Sequence, residues 1–174
     1  MSKIMSAEVT KKPCTRKNFI EDWSNIAVSW GMSKKMAAIH AYLLTADKYV
    51  TSDELMNELG ISRGCVSTNL SQLVKYEFVQ KADDQQRRDY YTATKNTFTI
   101  LQRVIAYRRE KELTPLIQML EHYCPSQMEN EMPKESLEMI CDFRHYAMKS
   151  DKFLSSLESK SESVFVRSFL RMIK

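Results

Sequence analysis

Residues 50–94 read VTSDELMNELGISRGCVSTNLSQLVKYEFVQKADDQQRRDYYTAT, and their punctuation divides them into a short helix, a turn, a second helix and a charged hairpin. Thr51-Ser52-Asp53-Glu54 has the form of a capping box, in which the cap hydroxyl and a carboxylate three residues on satisfy each other's amides. Val50 and Leu55 flank it at the spacing of a hydrophobic staple. Gly60 falls where a helix end needs a left-handed residue, Ile61 packs the turn, and Ser62 is placed to cap the next helix. Val66, Leu70, Leu73 and Val74 then recur at i, i+4, i+7 and i+8, a buried stripe with polar residues opposite.

That polar face carries the chemistry. Small hydroxyls beside a basic residue let a helix sit deep in a DNA major groove, where Ser and Thr donate or accept and arginine pairs with guanine O6 and N7. Ser62, Arg63, Ser67, Thr68, Asn69 and Ser71 are therefore expected to face the major groove, and Lys75 the phosphate backbone. After Glu77 the pattern changes from helical to alternating: Phe78 and Val79, the polar run Asp83–Asp89, then Tyr90, Tyr91 and Thr92. Arg87 and Arg88 in that hairpin are placed to reach phosphates or a minor groove, whose narrow walls concentrate negative potential. The expected fold class is mainly α, a winged helix-turn-helix of helices plus a small β-hairpin wing, with additional helices for dimerisation.

These residues resemble the GbsR-type branch of the MarR superfamily of transcription regulators. The likeness covers about residues 19–95 and is carried by Gly31-Met32-Ser33, Thr51-Ser52-Asp53-Glu54-Leu55, the run from Leu59 to Leu70, and Arg87-Arg88-Asp89-Tyr90-Tyr91. Asp83-Asp84-Gln85-Gln86 stand near the wing tip where the family usually has a glycine, and Lys34-Lys35-Met36-Ala37-Ala38 lacks the branch's Gly-Arg. The resemblance implies a regulator binding double-stranded DNA as a homodimer, with a small-molecule effector changing its affinity. Some GbsR-like proteins sense choline, a quaternary ammonium that aromatic faces hold by cation–π attraction. Trp23, Trp30, Tyr42, Tyr90, Tyr91 and Tyr107 offer such faces, but most sit at core-like spacing, so no effector residue is assigned.

Around this segment, residues 1–14 are polar and basic and read as a flexible tail, 15–95 as the DNA-binding domain, and 96–174 as a helical dimerisation and effector-response region. Phe19, Ile20, Trp23, Ile26, Ala27 and Trp30 form one broad helical face that Gly31 ends. Ser33 caps a helix to about Ala46 with Met36, Ala37, Ile39, Leu43 and Leu44 inside, and Lys34 and Lys35 read as a solvated first turn. A helix from about Lys95 to Leu113 carries Arg103, Arg108 and Arg109, read as solvated. Pro115 kinks it before Leu116, Ile117, Met119, Leu120 and Tyr123 continue the apolar face. Beyond a loop from Cys124 to Pro133, apolar faces run from Leu137 to Leu157 and from Val166 to Ile173, with a break at Ser159–Ser163. These faces exceed what the C-terminal region can bury alone, so burial against a second copy is expected. A twofold dimer sets two reading helices about one DNA turn apart, matching a pseudo-palindromic operator.

Composition sets the outer bounds. Three glycines and four prolines against 11 methionines in 174 residues favour long helices and exclude a glycine-rich phosphate loop. The formal charge is +4, yet residues 15–95 hold 11 Lys/Arg against 10 Asp/Glu, so the case for nucleic acid rests on where the cations sit. Cys14, Cys65, Cys124 and Cys141 form no C-x-x-C pair, and no apolar run suits a signal peptide or membrane span, so a cytoplasmic protein is expected. His40, His122 and His145 include one conceivable metal pair, His122-x-Cys124, without further ligands at a recognised spacing; no metal, cofactor or catalytic group is assigned. Two rival readings stay open: a non-enzymatic winged-helix module that docks protein, and a metal or redox sensor using His122, Cys124 and Cys65, the last near a helix N-terminus and Arg63.

Overall fold

Thr15 opens the first helix, α1 (Arg16–Val28), its hydroxyl accepting from the Asn18 amide at 3.2 Å. The computed structural model describes residues 13–83, 89–123 and 132–158. Gly31 adopts a φ of 89°, which L side chains rarely reach, and its carbonyl accepts from the Tyr107 hydroxyl at 3.1 Å. Ser33 then caps α2 (Lys34–Leu44), accepting from Met36 N at 3.1 Å. The two helices pack on each other, and α2 is the central one: Met36, Ala37, Ile39 and Leu43 are buried as expected, and so are His40, Ala41 and Tyr42. The buried face of α1 is narrower than its periodicity implies. Ala27 is enclosed and Trp23 half-buried, but Phe19 and Ile26 are 42% and 54% exposed because α2 covers α1 from one side.

Val50 and Thr51 form a short strand, β1 (Val50–Thr51), and Thr51 also caps α3 (Ser52–Leu59), accepting from Glu54 N at 3.2 Å. Only this half of the capping box forms. The Glu54 carboxylate instead accepts from the Tyr42 hydroxyl at 3.1 Å, which ties α3 to α2. Val50 and Leu55 are both fully buried, consistent with the staple. Gly60 ends α3 at φ 63° and ψ 38°, and Ser62 caps α4 (Arg63–Lys75), accepting from Cys65 N at 3.4 Å. Val66, Leu70 and Leu73 are enclosed and Val74 packs at the margin.

The end of α4 is closed by a Schellman motif, in which two amides turn back onto the last turn's carbonyls. Phe78 N donates to Leu73 O at 2.9 Å and Glu77 N to Val74 O at 3.0 Å. Glu77 occupies the left-handed position usually given to glycine, at φ 57°, and its carboxylate pairs with Arg103. From there β2 (Val79–Asp83) and β3 (Asp89–Ala93) run antiparallel, from Val79↔Ala93 to Asp83↔Asp89. β1 joins the other edge of β3 through Val50↔Tyr91 and Thr51↔Tyr90, giving the order β1-β3-β2. The sequence reading placed no strand at Val50–Thr51; two residues carry no periodic signal, and this strand exists only through its pairing with β3.

Asn96 caps α5 (Thr97–Arg108), accepting from Thr99 N at 2.9 Å. A π-helical turn, Arg109–Leu113, leads into α6 (Thr114–His122). The interruption expected at Pro115 takes this form because proline lacks an amide and crowds the carbonyl four residues back, while a wider turn relieves the crowding. The Thr114 hydroxyl and amide both close on Arg109 O, the hydroxyl at 3.2 Å. A 25-residue helix, α7 (Lys134–Glu158), lies against α5 and α6. The loop predicted from Cys124 is outside the described residues as far as 131, as are the break at Ser159–Ser163 and the apolar face from Val166 to Ile173.

Arg109 corrects one expectation. Far from solvated, its guanidinium ties the π turn to α7, with Nε to Glu158 Oε1 at 2.7 Å and Nη1 to Asp151 Oδ1 at 2.9 Å. Its charged form is stabilised further by those carboxylates, Glu158 foremost. Arg103 pairs with Glu77, and Arg108 with Glu112 at 3.0 Å, so neither of these is merely solvated. The sequence cannot show such pairs, whose members lie up to 49 residues apart.

Candidate nucleic-acid interface

α4 presents the candidate surface. Ser62, Arg63, Gly64, Ser67, Thr68 and Ser71 are all exposed on the side opposite Val66, Leu70 and Leu73. Apart from its chain neighbours and its own helix backbone, nothing lies within 4 Å of where a Cβ on Gly64 would stand, so the first turn is open to a close approach. Arg63 is 81% exposed at its side chain, and a long contact to Asp53 at 3.4 Å leaves its fork available. With two serines and a threonine one and two turns along, the face is small, polar and unobstructed over most of its length.

Two predicted residues are engaged within the fold. The Asn69 amide donates to Cys65 O at 2.7 Å and to Cys65 Sγ at 3.4 Å, and its oxygen accepts from the Ser33 hydroxyl at 3.0 Å. Asn69 thereby locks the start of α2 to the middle of α4, and this half-buried position sets it apart from the exposed hydroxyls. Lys75 Nζ donates to Glu110 Oε1 at 2.8 Å, and the Tyr76 hydroxyl donates to the same oxygen at 2.9 Å. Those two contacts lower the pKa of the Glu110 carboxyl, and the bonds Lys75 makes to Glu110 and to the Tyr76 hydroxyl raise that of its ammonium. Ser62 acts as the helix cap while remaining exposed.

Arg87 and Arg88 lie outside the described residues; the strands that carry them are in place, closing at Asp83↔Asp89. Lys81 and Asp89 pair across the wing at 2.9 Å. The aromatic residues weighed as ligand faces are largely interior. Tyr42, Tyr91 and Tyr107 are buried, Trp23 and Trp30 meet edge to face at 5.7 Å, and Arg16 covers the Tyr42 ring at 4.0 Å. Cys65 is half-buried, and among the described residues no three His, Cys, Asp or Glu side chains converge as a metal site.

Sequence reasoning passed over His40 as an ordinary helix residue. It is 1% exposed, wedged between Phe78 and Trp23 at ring separations of 5.2 and 5.8 Å, with neither ring nitrogen partnered. Burial lowers its pKa to about 4, so it is neutral in the folded protein. The signal was present: His40 stands four residues after Met36 and three before Leu43, squarely on the apolar face.

Helices α3 and α4 with the turn between them, backed by α2 and flanked by a three-stranded wing, define a winged helix-turn-helix. No protein-family model and no curated protein matches the chain. Among solved structures it is similar to one described as a transcriptional regulator, with TM-score 0.62 and 19% identity over 81% of this chain and 93% of that one. Transcriptional regulator Tm0710 from Thermotoga maritima aligns over 83% of this chain and 92% of its own, at 16% identity and TM-score 0.39. The first of these likenesses supports the fold. Among the described residues no helix is long and apolar enough to cross a membrane.

Proposed function

We propose that the protein is a sequence-specific, non-enzymatic transcription regulator of the GbsR-type branch of the MarR superfamily, binding duplex DNA in the cytoplasm as a homodimer. The observation that carries this reading is the exposed α4 face, where Arg63, Ser67, Thr68 and Ser71 stand clear of the core on a helix flanked by a wing. Arg63 is the candidate for bidentate pairing with guanine, and the hydroxyls suit close major-groove contact. Asn69 positions α4 through Ser33, Lys75 serves the phosphate backbone in exchange for Glu110, and Arg87 and Arg88 supply the wing contact.

Dimerisation is supported by apolar side chains left in solvent beyond the wing: Leu101 on α5, Met119 on α6, and Met139, Phe143, Tyr146 and Phe153 on α7, between 46% and 65% exposed. The operator would then be pseudo-palindromic, with an effector acting on the spacing of the two α4 helices. Selection of bound duplexes from a random pool, followed by titration at several salt concentrations, tests the reading. Enrichment of a twofold-symmetric motif and a steep fall of affinity with salt are expected, both lost in Arg63→Ala/Arg87→Ala. No enrichment and no salt dependence would transfer the winged helix to a protein-docking role.

A further inference from the structure

A cavity of about 470 Å³ opens between α5, the π-helical turn, α6 and α7, within the size range of small-molecule sites. Its wall is predominantly apolar, with Ile105, Leu113, Leu116 and Leu154 each half-buried around it. The charged groups at its rim are already matched. Arg108 is held by Glu112 at 3.0 and 3.2 Å, and Arg109 by Glu158 and Asp151 at 2.7 and 2.9 Å. A charged ligand would have to break a two-point contact to find its counter-ion, whereas an uncharged apolar molecule needs only the carbon surface.

The position of the cavity matters as much as its lining. Arg109, Glu112 and Leu113 belong to the π turn and line the cavity, and Glu110, in the same turn, holds Lys75 and Tyr76 at the C-terminal end of α4. Five residues thus form a cavity wall on one side and anchor the proposed reading helix on the other. Single π turns inside α-helices are frequent at functional sites.

We propose that this cavity is a binding site for a small, uncharged, largely apolar molecule, and that its occupancy displaces the π turn and, through Glu110, the end of α4. The regulatory half rests on the DNA-binding reading above; the binding half does not. The neutral fluorescent amine N-phenyl-1-naphthylamine is the probe. Saturable one-site binding to the full chain is expected, weakened at least about tenfold by filling the cavity with Leu154→Trp or, separately, Leu116→Trp. Tyr49→Ser, at an exposed aromatic outside both the cavity and the proposed dimer face, should leave the affinity within about twofold, which separates the cavity from general adsorption.

Absence of saturable binding, or equal affinity in wild type and both filled variants that keep the wild-type circular dichroism, overturns the site. For the relay, the probe should change affinity for the selected duplex in the wild type but not in Glu110→Gln, which still binds the probe. A bound probe that leaves duplex affinity unchanged overturns the relay. A chain that binds the probe at the cavity and no duplex at all retains the site and refutes the DNA reading, so the two failures are distinguishable.

Discussion

Replacing His40 with leucine should remove the part of the acid sensitivity of folding that this buried ring contributes. In the unfolded chain a histidine titrates near 6.5, whereas the buried ring between Trp23 and Phe78 takes a proton only at about 4. Above the unfolded value both states are neutral and His40 contributes no pH dependence. As pH falls through 6.5 the unfolded state gains a proton that the folded state refuses, so stability drops. The loss amounts to about 2 kcal/mol at pH 5 and approaches about 3 kcal/mol below pH 4. For a chain of this size that is a fall in Tm of about 4–8 °C at pH 5. The assay is denaturant unfolding at fixed protein concentration from pH 7.5 to 4.5, wild type against His40→Leu. Carboxylates such as Glu110 add their own acid dependence, but they are common to both proteins and cancel in the difference. At pH 7.5 the variant should be no less stable, since leucine has similar bulk and abolishes two unpartnered buried nitrogens. Parallel pH profiles for the two proteins would refute the account of a neutral, desolvated ring.

Gly60→Ala should cost about 1 kcal/mol, because the residue sits at φ 63° with nothing near the added methyl, so backbone conformation alone sets the penalty; chemical denaturation measures it. Arg109→Met should lower stability by about 2 kcal/mol, less than for a fully enclosed pair since its side chain is 26% exposed, and should speed amide exchange in α7. Unchanged exchange there would show that the carboxylates of α7 are held without it. Arg63→Ala should weaken binding of the selected duplex by about 1–3 kcal/mol and relax sequence choice at one position, read by titrating a panel of single-base variants.

The winged-helix core was legible because its boundaries are written in local chemistry. Thr51, Gly60 and Ser62 each act through atoms within four residues, and the Val66–Leu73 stripe needs only helical periodicity. Features that depend on distant partners were not. Glu54 turns to Tyr42 rather than back to Thr51, Asn69 answers to Ser33, and Arg109 finds Asp151 and Glu158; each choice is made by packing. Pro115 marked the place of a helix irregularity but not its π form, which depends on where the chain can widen without losing contact with α7. On the candidate interface, the hydroxyls and Arg63 are exposed where periodicity put them. Lys75 shows why exposure on a helical face does not leave a cation free: its counter-ion arrives from 35 residues away.

Val50 and Thr51 belong at once to the sheet and to the entrance of α3. Thr51 pairs with Tyr90 through its backbone while its side chain holds Glu54 N, so one residue is a stave of the wing and the latch of the helix-turn-helix. β3 is paired at both edges, with β2 on one side and β1 on the other, and β1 runs directly into the first turn of α3. In the regulator proposed above, the wing's strands and the helix-turn-helix would therefore be offered to a duplex together, tied at Thr51.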